Sequence, residues 1–157
     1  MELYLVRHAA AVGRDQGFAD PDRPLTPEGA AAFKKVVAGL KKLGVRLDRI
    51  YHSPWLRAVQ TAELLTPVLR GESVVHAGLV RTPAPELWAD WQGDNVAVVG
   101  HRPWLNELLA LLVAGNPDLA EHFVIKKGGV VHLRGEAIPE GMDLVALLTP
   151  AVLRSHD

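Results

Sequence analysis

The chain predicts an α/β fold, a three-layer sandwich in which a mostly parallel central sheet carries helices on both faces. Three observations support that expectation. Strand-like and helix-like stretches alternate through the first two thirds of the 157 residues, the order that builds parallel sheets through helical crossovers. The runs Glu2 to Val6 and Asn95 to Gly100 are almost unbroken in apolar character, as strands buried on both faces must be. Two further strand-like stretches, Val130 to Arg134 and Met142 to Leu148, close the chain around a turn at Pro139-Glu140-Gly141. A single domain over residues 1–157 is expected, because this length supports one real core but not two comfortable ones.

In chain order, Arg7 and His8 follow the first strand directly, where an open parallel sheet delivers side chains into a crevice. Residues 12–24 are rich in Gly, Asp and Pro and lack an apolar period, so they form a loop bordering that crevice. Thr26-Pro27 then pairs a cap with proline at the first helical position. Phe33, Val36, Val37, Leu40 and Leu43 recur every three or four residues opposite a lysine face, and Gly44 stops that helix. Asp48 to Ser53 reads as a second strand. Ser53-Pro54 repeats the cap-and-proline signal, opening a helix buried along Ala58, Ala62, Leu65 and Leu69 and ending before Pro67. Ser73 to His76 is a third strand, and Pro83 to Trp91 is a loop with one or two helical turns. After Gly100, Arg102-Pro103 opens a helix with Leu105, Leu108, Leu109 and Leu112 inward.

Composition narrows the function classes. The chain is 48% hydrophobic and 22% charged with a net charge of -1, an ordinary globular balance with no basic stripe for nucleic acid or membrane. It has no cysteine, which excludes disulfides, thiolate metal sites and cysteine nucleophiles. No apolar run reaches the roughly 18 residues of a bilayer span, and the first residues already read as a strand rather than a signal peptide. A cytoplasmic protein is expected, with no nucleic-acid or membrane partner; its oligomeric state stays open.

Three positions share one topological property. His8 follows the first strand, Arg57 lies in the first turn after the second, and His101 joins a later strand to its helix. Neighbouring strands would bring all three to one sheet edge, where helix N-termini favour a phosphate. The runs Leu3-Tyr4-Leu5-Val6-Arg7-His8, Arg23-Pro24-Leu25-Thr26-Pro27-Glu28-Gly29, Ser53-Pro54-Trp55-Leu56-Arg57-Ala58-Val59-Gln60-Thr61-Ala62 and Val98-Val99-Gly100-His101 resemble the histidine phosphatase superfamily. Within this phosphoglycerate mutase-like fold, the chain is similar to the small SixA-type phosphohistidine phosphatases. The resemblance implies a metal-independent phosphatase without a cofactor, in which His8 is the phosphorylated nucleophile and Arg7, Arg57 and His101 bind the phosphoryl group. On that reading, a protonated His101 supplies a third cation beside the two guanidinium forks.

Departures from the family pattern bear on the substrate. Ala9 and Ala10 stand where many relatives carry glycine and an acidic residue. The interval from His76 to Asn95 is too short for the acid-bearing insertion of the larger members. Glu86 is its best candidate general acid, against the plainer reading of a solvated carboxylate opening a short helix. An alkoxide needs an acid to depart, worth about 10² to 10⁴ in rate. The imidazole of a phosphohistidine, with a pKa near about 6.5, leaves without much help. The expected function is therefore removal of phosphate from phosphohistidine in a phosphorylated protein, with a small-molecule phosphomonoesterase or mutase of the same superfamily, acting on a small phosphomonoester, as the alternative and a non-catalytic phosphate-binding module as a further one.

Other polar residues have plainer readings. His52 reads as a structural histidine at the crevice rim, and His76, His122, His132 and His156 as surface or strand residues. A metal site from His8, His52 and His101 lacks ligand spacing. Arg23 is explained by an ion pair as readily as by phosphate contact, and Thr26 by capping. Trp55, Trp88 and Trp104 are expected to pack beside the crevice. Lys126-Lys127-Gly128-Gly129 is expected to be a solvated turn, without the spacing of a P-loop.

Overall fold

The computed structural model describes residues 1–155, which leaves His156 outside the described residues. Six strands, β1 (Glu2–Arg7), β2 (Leu47–His52), β3 (Leu69–Val75), β4 (Asn95–Gly100), β5 (Val130–Gly135) and β6 (Met142–Leu148), form one sheet in the order β3-β2-β4-β1-β5-β6. The four strands from β3 to β1 run parallel, whereas β5 is antiparallel to both β1 and β6. The helices are α1 (Pro27–Lys42), α2 (Leu56–Leu64), α3 (Pro85–Ala89), α4 (Trp104–Ala114) and α5 (Pro150–Arg154).

Strand pleating sorts β1 between two cores. Tyr4 and Val6 face Phe33, Val36, Val37 and Leu40 of α1, Ala58 and Ala62 of α2, and Leu153 of α5. Leu3 and Leu5 face Leu87 of α3 and Leu105, Leu108, Leu109 and Leu112 of α4. All four of these α4 leucines are buried, each contributing roughly 1.5–3 kcal/mol through removal of apolar surface from water. The doubly covered, mostly parallel sheet is therefore built from the periodicities read in the sequence. Among the described residues no helix is long and apolar enough to cross a membrane.

Most boundaries fall within a residue or two of expectation. Thr26 caps α1 by accepting from the Gly29 amide at 2.9 Å, and Gly44 takes a φ of 82° just past its end. Three features differ. Helix α2 opens at Leu56 rather than at Ser53-Pro54, because the Ser53 hydroxyl is buried in the crevice and accepts from the Trp55 amide at 3.0 Å instead. Strand β3 starts at Leu69 rather than Ser73, so Leu69 belongs to a strand and not to the buried line of α2. As an edge strand with exposed Arg70, Gly71 and Glu72, it gives no apolar signal at its start. Helix α5 was not foreseen, although Thr149-Pro150 repeats the Thr26-Pro27 signal and Thr149 accepts from the Val152 amide at 3.2 Å.

The loop of residues 12–24 holds two single 3-10 turns, Arg14–Gln16 and Asp20–Asp22. It is pinned by amide–carbonyl bonds from Val12 to Pro24 and from Thr26 to Ala10. Gly29 lets α1 approach this segment, since a Cβ there would collide with the Ala10 carbonyl.

Candidate active site

Strand register assembles the site. Arg7 on β1 lies opposite Gly100 on β4, and His52 on β2 lies opposite Val99. The chain leaves the sheet one residue later on each strand, so His8, Ser53 and His101 emerge side by side. The His8 amide donates to Gly100 and the Ser53 amide to Val99, each at 3.1 Å. The His8 and His101 rings lie 5.1 Å apart, and Arg57 enters from the first turn of α2. The four residues expected from the sequence are thus brought together, and His8, Arg57 and His101 are all buried.

His8 is oriented by its own backbone. Its Nδ1 lies 2.7 Å from the Ala9 carbonyl, which can only accept, so Nδ1 carries the proton and Nε2 keeps a free lone pair. Burial first, opposed by that hydrogen bond but reinforced by Arg57, Arg7 and Lys127, pushes its pKa from the ordinary 6.5 down to about 4. The ring is therefore neutral at pH 7.

His101 departs from expectation. Burial first, then His8 and Arg57, push it down to about 3, so it is a neutral imidazole and not a third cation. Its Nε2 lies 2.6 Å from Ser53 Oγ. Ser53 Oγ accepts from the Trp55 amide, and among the described residues its own proton has no acceptor other than His101 Nε2, so the hydroxyl donates there and the imidazole proton sits on Nδ1. That nitrogen is buried without a partner. Trp55 and Trp104 pack on the His101 ring at centroid distances of 4.9 and 6.4 Å, while Trp88 packs against the α4-side core.

The two guanidinium groups are held differently. Arg57 donates from NH1 to the Asp20 carbonyl at 2.7 Å, faces the Asp20 carboxylate at 3.6 Å and lies 4.8 Å over the Trp55 ring. Asp20 is tied in turn to Arg23 at 2.8 Å, and Arg23 also donates to the Val12 carbonyl. Arg7 donates to the Ile125 carbonyl at 2.8 Å and has no carboxylate partner among the described residues. The Nε of each guanidinium is buried without a partner. Thr61, one turn after Arg57, donates to the Arg57 carbonyl at 2.7 Å and accepts from the Ala9 amide at 3.0 Å, coupling α2 to the segment after His8.

The turn at residues 126–129 corrects another expectation. Its lysines are exposed, but the Gly128 amide bonds the carbonyls of Arg7 and His8 at 3.0 Å, and the Arg7 amide donates to Gly129. Gly128 needs its freedom here, at a φ of +77°. Lys127 thereby reaches the crevice, where burial first and then Arg7, Arg23, Arg102 and Arg57 lower its pKa.

Glu86 is exposed in the first turn of α3 and makes no hydrogen bond or ion pair among the described residues. Its neighbour Leu87 does share a small recess with His101. The other histidines among the described residues have partners outside the histidine pair. His52 Nδ1 pairs with the Ser53 carbonyl, His76 with the Gly78 amide, His122 with Glu121, and His132 stacks on Tyr4 and bonds Glu2. Of the residues the sequence left without a role, Ser53 and Thr61 lie within the Ser53–Ala62 run, and the i, i+4 spacing of Arg57 and Thr61 was a readable signal. Asp20 and Lys127 had none, because tertiary register alone brings them here.

Fold and site together define a class, a phosphoglycerate mutase-like sandwich with a paired-histidine, paired-arginine crevice at its carboxyl edge. Residues 3–80 match the histidine phosphatase superfamily, branch 1. Over 148 residues, 87% of either chain, the protein is 34% identical to an uncharacterized protein of Picosynechococcus sp.. The protein histidine phosphatase SixA complexed with tungstate shares the fold with a TM-score of 0.77 at 24% identity, covering 98% of this chain and 99% of that one. The alpha-ribazole phosphatase from Shigella flexneri does so with a TM-score of 0.74 at 18% identity, covering 96% and 97%. The chain belongs to the histidine phosphatase superfamily and is a phosphatase.

Proposed function

We propose that the chain removes phosphoryl groups through a phospho-His8 intermediate and that its substrates are phosphohistidines in proteins. His8 Nε2 attacks phosphorus in line while the P–N bond of a phosphohistidine protonated on its other ring nitrogen breaks, so that the substrate leaves as neutral imidazole, and Nδ1–H stays on the Ala9 carbonyl throughout. Water then attacks the phosphoryl group on His8, releasing inorganic phosphate and restoring the neutral ring. Arg7 and Arg57 direct their forks at the equatorial oxygens, and His101 donates from Nδ1 as a neutral hydrogen-bond donor.

The observation that carries this reading is the donor set. Arg7 Nε, Arg57 Nε and His101 Nδ1 are buried and unpartnered, and all three side chains act electrostatically on His8 or lie against it. Buried donors left unpaired are costly, and an oxyanion relieves that cost. The choice of a P–N bond follows from the acids at hand. Asp20 is the carboxylate that touches this cluster, and although burial opposes it, the hydrogen bond from Arg23 and the charges of Arg57, Arg23 and Arg14 hold it ionised. It has no proton to give an alkoxide at neutral pH, whereas a phosphohistidine protonated on its other ring nitrogen already carries the proton that lets imidazole leave neutral.

Rapid quench with a radiolabelled phosphohistidine peptide should trap acid-labile, alkali-stable phosphate on His8. His8→Ala should trap none and lose at least about 10³ in kcat/KM. Turnover by that variant near the wild-type rate would end the covalent mechanism. A second reading, a small-molecule phosphomonoesterase using Glu86 as general acid, draws on the recess that Leu87 shares with His101. It requires fast turnover of an alkyl phosphate and at least about 10² lost in Glu86→Gln.

A further inference from the structure

A cleft of about 670 Å³ opens beside the crevice, between α1, α5 and the turn at residues 126–128. Its volume is that of a ligand site rather than a packing defect. The charged residues lining it are Arg7, Arg102, Lys126, Lys127 and Arg154, with no carboxylate among them, and Phe33 contributes an apolar wall. On a chain with a net charge of -1 this is a concentrated local field. Arg7 belongs to both cleft and crevice, and the Gly128 amide on the Arg7 and His8 carbonyls fixes the cleft beside the nucleophile. A smaller cleft of about 330 Å³ on the other side of Arg7 and Arg102 includes Glu121, so the all-cationic lining is confined to one direction.

We infer that this cleft binds a second anionic group of the same substrate, so that the preferred substrates carry a carboxylate or phosphate in addition to the phosphoryl group that is removed. The inference rests on the phosphatase reading above and names its substrate class more closely. Like charges gathered at one mouth repel one another in the free protein, and a second anion converts that repulsion into attraction. Mutual repulsion is already visible at Lys127, where four arginines add to burial in disfavouring its charged form. The second anion has two sources, an acidic side chain near a phosphohistidine or the far end of a small bis-anion, and both present the same chemistry to the cleft.

The test compares two substrate pairs at low salt: phosphohistidine peptides with alanine or with aspartate flanks, and an aryl phosphate with or without a carboxymethyl arm. Wild type should prefer the acidic member of at least one pair by about tenfold in kcat/KM, and that preference should shrink as salt is added. The pair that shows it identifies the source. The double variant Lys126→Gln/Arg154→Gln, and independently Ala151→Trp, which narrows the cleft, should cut the preference below about threefold with the neutral member unchanged. Equal turnover of both members by wild type, or equal losses on both in the variants, would overturn the inference. If wild type turns over none of the four, the phosphatase reading fails instead. The cleft is then judged by calorimetry with the matching aryl phosphonate pair, where the same ratio and the same loss in the variants are expected, and equal affinity for both phosphonates overturns it.

Discussion

The two arginines flank one histidine pair but are secured by opposite means. Arg57 sits in a closed electrostatic circuit with a carboxylate, a second arginine and an indole face, all on the loop and helix that bracket it. Arg7 is fixed by a single carbonyl, and among the described residues the charges acting on it are the cations Arg102 and Lys127. One flank spends its charge partly on structure and the other leaves it for a ligand. The difference teaches that equal residue types at one site need not be equally available to an anion.

The sharpest contrast is expected from truncation. Arg7→Ala and Arg57→Ala should each lose about 10² to 10³ in kcat/KM, as for removal of one oxyanion donor. Only Arg57→Ala should also release the segment around Asp20, read as faster amide exchange or proteolysis between residues 12 and 24. Equal loosening by both variants would erase the distinction. Ser53→Ala comes next, with about a tenfold loss in kcat/KM. Without the hydroxyl that donates to Nε2, the neutral form of His101 is less favoured, so NMR titration should place its pKa above the wild-type value. Thr61→Val keeps the shape but strands the buried Ala9 amide, and should cost about 1–3 kcal/mol in denaturant unfolding.

A further effect is thermodynamic and shared by both flanks. His8 and His101 titrate near about 4 and 3 in the folded chain, against 6.5 for the ordinary imidazole. A group depressed in this way binds protons more readily when unfolded. Its contribution is therefore complete above pH 6.5 and is lost as pH falls from there through the folded values. The melting temperature should fall through that window, and less steeply in His101→Gln. A flat profile would mean that the rings are not held neutral.

Much of this architecture was legible in the sequence for a physical reason. Strands buried on both faces and helices with one apolar stripe leave periodic signatures, and β1, β4, α1 and α4 carry them strongly. The start of β3 was not legible because an edge strand is mostly solvated. Arg7, His8, Arg57 and His101 were legible because each lies at or shortly after a strand end within a run that resembles the family. The neutral state of His101 is not legible in the sequence because burial depth, which decides it, is not encoded near the residue. Lys127 was underrated for a similar reason: its place beside Arg7 comes from an antiparallel pairing across more than a hundred residues of chain.

That pairing also bears on how the chain acquires its shape during synthesis. β1 leaves the ribosome first, yet its two sheet neighbours begin at residues 95 and 130. The segment that carries His8 must wait, its apolar edges unpaired, until β4 and β5 have been made. Long-range pairings of this kind slow folding and lengthen exposure to aggregation. A nascent chain halted at residue 80 contains both Arg7 and Arg57 but neither neighbour of β1, so the crevice cannot assemble until translation has passed β4 and the turn at residues 126–129.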